Sequence, residues 1–594
     1  VFLQLHSSSI MTKEEIIAMY FNTFDFVNNA VGIESASHIY LNKKPKDLKV
    51  EEAAMFVGML QNPAYYNPRR FEQRTRDRRA TVLRKLMEQG TISNAQFNAL
   101  KDKPIQLDFH PETANDGLAP YFRMVLAEDL KKWAKENKKQ NGDSYNIYTD
   151  GLKIYTTIDT RLQKYAEEAA TQHLSRYQGI FNAQFAGGWK PWETDAGKKI
   201  LETACKYTDR WAALKEQGLS SEDILKNFKT DKHRMKVFTY KGQKDTTLSP
   251  YDSVKYYKSF LQVGFMAVEP YTGYVRAWVG GPNFEYFKYD HCNVNTKRQV
   301  GSTFKPVQYA LAVDNGWSPC MPIPTGPITI NYQGQVWQPK NSGRFGGSYP
   351  MKVCLAHSIN TAAAYMMKNF GPEALVDLSH KMGITSKIPT VPSICLGAGE
   401  ISLYEMMTVY STFCNAGIST KPQYILRIDD KDGNVVQNFT TEMKEVFNDN
   451  TAYKMCEIMK GPVSPGGTAA SLRAYFNYPT DVAGKTGTTN KNTDAWFIGF
   501  TPQLLAGVWV GCDDPLLRFL YTSTGQGGHA AMPVWGMFMQ KAYSDTKLAF
   551  NQKAKFFLPS DSSLVKNFCD DNGTSIISGG DSGSFNQSDE DSEY

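Results

Sequence analysis

The order of hydrophobic and polar positions changes character several times along this chain, and each change predicts a different kind of element. Residues 1 to about 110 read as helical. Thr12 can cap a helix whose first turn holds Glu14 and Glu15, acids that suit the positive end of the helix dipole. Further helices are predicted over residues 50–60 and 76–89, with Asn62-Pro63 and Asn67-Pro68 marking the turn between them. Lys131, Lys132, Lys135, Lys138 and Lys139 then read as a solvated helix face leading into an Asn-Gly-Asp loop. Residues 152–158 form a strand pattern, and Thr160 starts a helix running through Leu162, Tyr165 and Ala166.

Residues 175–250 are less legible, and no chemistry is assigned to them. Trp189, Trp192 and Trp211 stand at irregular spacing, which favours core or interdomain packing over a carbohydrate platform. From Phe260 the pattern clears. Residues 265–269 and 274–279 flank Pro270-Tyr271-Thr272-Gly273 as a β-hairpin, and residues 495–500 and 505–510 form another around Thr501-Pro502-Gln503. The segment around Lys485 precedes that second hairpin as a further strand. Strands thus lie at both ends of this unit, with a largely helical stretch from 302 to 460. Such a chain most simply builds one antiparallel sheet from its two ends and packs helices against it. Residues 570–594 carry seven acidic residues and no basic one among Ser and Gly, the composition of a disordered tail.

At 594 residues the chain is too long for one core, so two or three domains are expected. Boundaries fall at 1–110, 111–255, 256–548 and 549–594. A hydrophobic fraction of 41% is ordinary for a globular protein, and a net charge of +6 without a basic, aromatic-interleaved cluster argues against nucleic-acid binding. Nine cysteines without a Cys-x-x-Cys pair indicate neither a zinc knuckle nor a thioredoxin motif. Most read as buried free thiols, with room for one or two disulfides in an oxidising compartment. The chain opens on Val1, with no signal peptide and no apolar run of about 18 residues. Its native beginning is therefore expected to lie upstream.

Three short motifs carry the candidate chemistry. In Gly301-Ser302-Thr303-Phe304-Lys305-Pro306, serine and lysine three apart share one helix face, the outline of an activated nucleophile. Pro306 is comfortable only in a first turn, so a helix should begin close to Ser302, with Phe304, Val307 and Leu311 facing inward. The dipole and partial burial both disfavour a charged Lys305, and a neutral amine can accept the serine proton. Ser358-Ile359-Asn360 offers a second hydroxyl to pass a proton to a leaving amine, and an amide to hold substrate and Lys305. The adjacent His357 reads as structural. Lys485-Thr486-Gly487-Thr488 lies on a predicted strand, where Gly487 implies close approach to the backbone, a substrate peptide being the expected visitor. Lys485 adds positive charge, and Thr486 and Thr488 add hydroxyls for a carboxylate. The backbone N–H groups of Ser302 and Thr488 are the candidate oxyanion hole, worth about 3 kcal/mol per donor.

Together these motifs resemble the active-site set of penicillin-binding enzymes and serine β-lactamases, and the chain resembles, over most of 1–170 and 255–545 and least across 175–250, a class A penicillin-binding protein, a bifunctional peptidoglycan synthase. Leu396-Gly397-Ala398-Gly399-Glu400 and Gly467-Thr468-Ala469 also sit where that family has recognisable stretches. The resemblance implies a lysozyme-like helical glycosyltransferase part over 1–110, a linker and insertion region over 111–255, an α/β serine DD-transpeptidase domain with a central antiparallel sheet over 256–548, and a C-terminal extension. It implies Ser302 as the acyl-accepting nucleophile, Lys305 as its base, Ser358 and Asn360 as the second element, and Lys485-Thr486-Gly487 as the third. The implied partners are stem peptides ending in D-Ala-D-Ala, lipid II, and β-lactams as covalent inhibitors, without a cofactor.

Lys13-Glu14-Glu15-Ile16-Ile17 with Tyr20-Phe21-Asn22, Val31-Gly32-Ile33-Glu34-Ser35-Ala36, Ala64-Tyr65-Tyr66-Asn67-Pro68 and Arg78-Arg79-Ala80-Thr81-Val82-Leu83 resemble the C-terminal portion of the glycosyltransferase. That family's catalytic glutamate belongs upstream of Val1, and the resemblance gives the role to none of Glu14, Glu15 and Glu34. The 23–29 loop lacks the family's glycines. Glycan polymerisation is accordingly expected of the intact parent, as are a divalent metal in its glycosyltransferase and a single anchor holding it on the extracytoplasmic face of the cell membrane. The motifs barely separate a transpeptidase from a DD-carboxypeptidase or β-lactamase, and a β-lactam sensor would keep the same pocket. Against a β-lactamase stand the glycosyltransferase-like part and the lack of an extra glutamate for deacylation.

Overall fold

A computed structural model describes residues 12–110, 115, 117–139, 142–566 and 568–569; the predicted acidic tail lies outside the described residues. The chain forms two compact units, one up to Pro120 and one from Tyr121 onward. The first unit contains α1 (Lys13–Thr23), α2 (Ile33–Leu41), α3 (Val50–Met59), α4 (Glu72–Glu88) and α5 (Asn94–Leu100). Thr12 caps α1 in a reciprocal box with Glu15. α4 begins four residues before the predicted start. Phe26, Ile39, Tyr40, Phe56 and Met59 form the core of this unit.

The second unit opens with α6 (Pro120–Glu136), whose Lys131, Lys132 and Lys135 are exposed as predicted. β1 (Lys153–Thr156) and α7 (Thr160–Ala183, capped by Asp159) follow. The stretch that resisted reading folds as α8 (Asp195–Lys206), α9 (Asp209–Glu216), α10 (Ser221–Thr230), the hairpin β2 (His233–Thr239) and β3 (Gly242–Leu248), and α11 (Pro250–Lys258). Trp211 belongs to a small core with Cys205, Ile224 and Phe228, and Trp192 is buried with its indole donating to Ser259.

Then come β4 (Gln262–Val268), β5 (Val275–Val279), β6 (Lys297–Gln299), α12 (Lys305–Asp314), α13 (Met351–Ala356), α14 (Asn360–Lys381, broken at Gly371), β7 (Glu400–Ser402), α15 (Leu403–Cys414), β8 (Ile425–Asp429) and α16 (Asp449–Lys460). β9 (Ala483–Thr488), β10 (Asp494–Phe500), β11 (Leu505–Gly511) and α17 (Met532–Ser544) close the unit. The central sheet has the order β9-β10-β11-β4-β5 and is antiparallel throughout. The two ends of the domain therefore meet at β11 and β4, as the strand pattern predicted. α7 and α17 contribute Leu162, Ala166, Trp535 and Phe538 to one face of the sheet. On the other face Gly507 lets α15 approach closely, since a Cβ there would stand 2.7 Å from Leu403 and 2.8 Å from the Met407 sulfur. Both faces are covered, which is why β4, β10 and β11 are buried along their whole length.

After α17 the chain pairs Cys320 with Cys569, while the other seven cysteines are free and buried. No helix among the described residues is long and apolar enough to cross a membrane.

Glu405 anchors α15. Its buried carboxylate accepts from Thr385 N and Oγ1, Ser386 N and Oγ, and the Ser402 cap. Burial pushes its pKa up, but the donors of Ser386, Ser402 and Thr385 outweigh that and hold it below the ordinary value. Its stabilising contribution is therefore full above the unfolded pKa and lost as pH falls through the folded one. Glu405→Ala is expected to cost about 3 kcal/mol at pH 7 by stranding these donors, read as a lower urea midpoint, and the gap to the wild type should narrow on acidification.

Candidate active site

Ser302 sits in a 3-10 turn, Gly301–Phe304, that opens directly into α12. Pro306 occupies the first turn of α12, where its missing N–H costs nothing, and Phe304, Val307 and Leu311 are buried. The turn requires Gly301 at φ +53°. A Cβ on Gly301 would stand 2.8 Å from the Thr488 carbonyl oxygen, and one on Gly397 only 1.9 Å from the Gly301 oxygen. Glycine thus lets the backbone around Ser302 close against the end of β9 and against the 397 loop. Gly487 works the same way. A Cβ there would meet the Val300 oxygen and Thr303 Cγ2, each at 2.8 Å. The close approach predicted at Gly487 is made by the protein's own serine turn, which corrects the expectation that a substrate alone explains it.

Ser358 follows α13 at φ +57°, a strained conformation for serine, and Asn360 is the first residue of α14. The Lys305 amine donates to the Ser358 carbonyl, to Ser358 Oγ at 3.1 Å and to Asn360 Oδ1 at 2.7 Å. Lys485 donates to the same Ser358 Oγ at 3.0 Å and to the Thr486 carbonyl at 3.0 Å. Two buried amines therefore meet on one hydroxyl. Burial pushes Lys305 down to about 7, and pushes Lys485 well below an ordinary lysine, with the neighbouring Lys305 adding to the effect. Because both amines meet one hydroxyl, a charge on one disfavours a charge on the other. Lys485, read from the sequence as adding positive charge, is completely buried on β9 and directed to Ser358.

Thr486 Oγ1 donates to Thr468 Oγ1 at 2.8 Å, and Thr488 Oγ1 accepts from Gly527 N at 3.2 Å. The structure thus gathers Lys305, Ser358, Asn360 and Lys485 by hydrogen bonds, and brings Gly301, next to Ser302, against the Thr488 backbone. Among the described residues β9 pairs only with β10 in the sheet, and no described strand occupies its other edge. His357 is half-buried with its ring near Phe345. A cavity of about 510 Å³ lies elsewhere in the unit, lined by Trp278, Tyr404, Glu405 and Lys421, and none of the motif residues borders it.

Sequence reasoning missed Asn341. Its side-chain oxygen accepts from Asn360 N at 2.9 Å and Thr361 N at 3.0 Å, while Asn360 Nδ2 donates to the Lys340 carbonyl at 2.7 Å. Asn is a common helix cap, but a cap supplied from 19 residues upstream leaves no local pattern.

Residues 263–512 match the family model of the penicillin-binding protein transpeptidase domain, and residues 1–87 match the transglycosylase model. That order of two enzymatic domains in one chain decides the family. The chain belongs to the class A penicillin-binding proteins. Its stretch 188–261 matches the penicillin-binding protein middle domain, which overlaps the later part of the region read as linker and insertion. Penicillin-binding protein 1A of Aquifex aeolicus is 28% identical over 544 residues, covering 89% of this chain and 71% of the relative. The protein of the same name from Pseudomonas aeruginosa is 26% identical over 642 residues, covering 92% and 74%. The crystal structure of penicillin-binding protein 1A from Haemophilus influenzae superposes with a TM-score of 0.65 at 22% identity, covering 90% of this chain and 86% of that one, and so shares the fold. As a class A penicillin-binding protein, the chain serves peptidoglycan synthesis and cross-linking.

Gly301→Ala should force the serine turn away from Thr488. Acylation by a fluorescent penicillin is expected to slow by about a hundredfold or more, as loss of one oxyanion donor does, with the far-UV circular dichroism unchanged.

Proposed function

We propose that Ser302 is the acyl-accepting nucleophile of a DD-transpeptidase acting on stem peptides that end in D-Ala-D-Ala. Lys305 takes the Ser302 proton as Oγ attacks the carbonyl of the penultimate D-Ala. The oxyanion is held by the N–H groups of Ser302 and Thr488. Ser358, bonded to both amines, gives its proton to the departing D-Ala nitrogen and takes the proton held by Lys305, which is left neutral. The amine of a neighbouring stem peptide then attacks the ester and loses a proton to Lys305, which passes it to Ser302 Oγ as the ester bond breaks. The substrate lies along the free edge of β9 with its carboxylate toward the Thr486 and Thr488 hydroxyls. No cofactor enters this sequence. The observation that carries the reading is the convergence of two desolvated amines on Ser358 Oγ. We place the reaction on the extracytoplasmic side of the membrane, where peptidoglycan is assembled, with lipid II as the glycan precursor.

A fluorescent penicillin should label the wild type covalently and fail to label Ser302→Ala; a persistent label sinks the assignment. Only neutral Lys305 accepts a proton, and burial sets its pKa at about 7. Acylation should therefore rise with pH through neutrality, running about tenfold slower at pH 6 than on the alkaline plateau, as measured by stopped-flow or quenched labelling.

A further inference from the structure

We propose that Asn341 is a positioning residue that holds the Asn360 amide with its oxygen toward Lys305. The inference rests on the reading of Lys305 as the proton acceptor. Asn360 must present an acceptor to an amine, yet a carboxamide offers oxygen on one side and two donors on the other. Turned over, it would set N–H groups against the Lys305 amine. Nothing at the start of α14 prevents this locally, because the N-cap is Ile359, which makes no side-chain cap.

The segment ending at Asn341 supplies both restraints. The Lys340 carbonyl takes Asn360 Nδ2 at 2.7 Å, which selects the oxygen-inward orientation. Asn341 Oδ1 accepts from the N–H groups of Asn360 and Thr361, fastening the first turn of α14. Its own Nδ2 donates to Thr361 Oγ1 at 2.9 Å and to the Thr325 carbonyl at 3.4 Å, and Thr361 Oγ1 donates to that carbonyl at 2.7 Å. The amide of Asn341 is thereby itself locked. The Lys340 carbonyl and the helix start are tied together through one side chain, and the Asn360 amide lies between them. Asn341 touches neither Ser302 nor Lys305 in this chain of contacts, so it acts through Asn360.

The consequence is a change in the proton affinity of Lys305 as well as in rate. An acceptor at Asn360 Oδ1 favours the ammonium form, so losing it lowers the proton affinity. The other titratable groups facing Lys305 are Lys485 on β9, Cys354 on α13 and Cys395 in the 392–396 turn, the thiols being pushed up to about 12 by burial. The Lys340 side chain is exposed.

The test measures penicillin acylation against pH in the full chain for the wild type, Asn341→Ala and Asn341→Asp, with thermal unfolding alongside. Asn341→Ala should slow acylation by about ten- to a hundredfold, the worth of one charge-assisted hydrogen bond, and move the ascending limb to lower pH. Asn341→Asp keeps the cap oxygen but loses the Nδ2 donor to Thr361 and Thr325, so it should recover part of the rate, and its negative charge should move the limb above that of the wild type. Limbs that stay at the wild-type pH in both variants overturn the proposal, since a purely structural cap would cost stability without touching the titration. A wild-type rate in Asn341→Ala overturns it equally. If Asn341→Ala does not fold, the limb of Asn341→Asp alone decides. Failure of the Lys305 reading would show separately, as a wild type whose acylation lacks a limb near neutrality.

Discussion

The desolvation of Lys305 and Lys485 is the constraint on which the rest of the transpeptidase unit depends. An amine exposed to water would hold its proton at neutral pH and could not act as a base. Both are fully buried, one under the start of α12 and the other on β9. Burial makes the ammonium form expensive, and the acceptors among the described residues are Ser358, Asn360 and the Thr486 carbonyl. The reactive amine therefore exists because a large, dry framework surrounds it. That framework is the sheet covered on both faces, with α15 pinned by Glu405 and α17 packed on the opposite side.

The same framework needs backbones to approach more closely than side chains allow. Gly301, Gly397 and Gly487 stand where the serine turn, the 397 loop and β9 converge, and each would clash if it carried a Cβ. A strained Ser358 sits at the centre of this arrangement. Stability is thus spent locally to hold a hydroxyl between two amines. The return on α14 is held by Asn341, a side chain from a separate loop, so positioning of the amide is borrowed from residues outside the motifs.

Much of this was legible beforehand, for identifiable reasons. The hairpins at 265–279 and 495–510 announce themselves by turn residues between apolar runs, and Pro306 restricts where a helix can begin, so these features are local. The motif residues Ser302, Lys305, Ser358, Asn360 and Lys485 were recognisable from type and spacing. The 188–261 stretch was not, because its short helices have small cores such as Cys205, Trp211, Ile224 and Phe228, which impose no long periodic pattern. The pairing of Cys320 with Cys569 was equally hidden, since connectivity among nine cysteines has no sequence signature.

The sequence by itself singled out the candidate residues Ser302, Lys305, Ser358, Asn360 and Lys485, many of the strands and helices outside 175–250, and one sheet built from the two ends of the domain. Those are consequences of residue type, turn chemistry and periodicity. Tertiary structure alone decided which way each group faces. Lys485 reads as a positive charge in the third motif, and only the fold shows that it is fully buried on β9 and bonded to Ser358. Gly487 reads as an opening for a ligand but is filled by the turn that bears Ser302. Burial and close approach are properties of distant segments brought together, and local sequence carries no record of what will be packed against it.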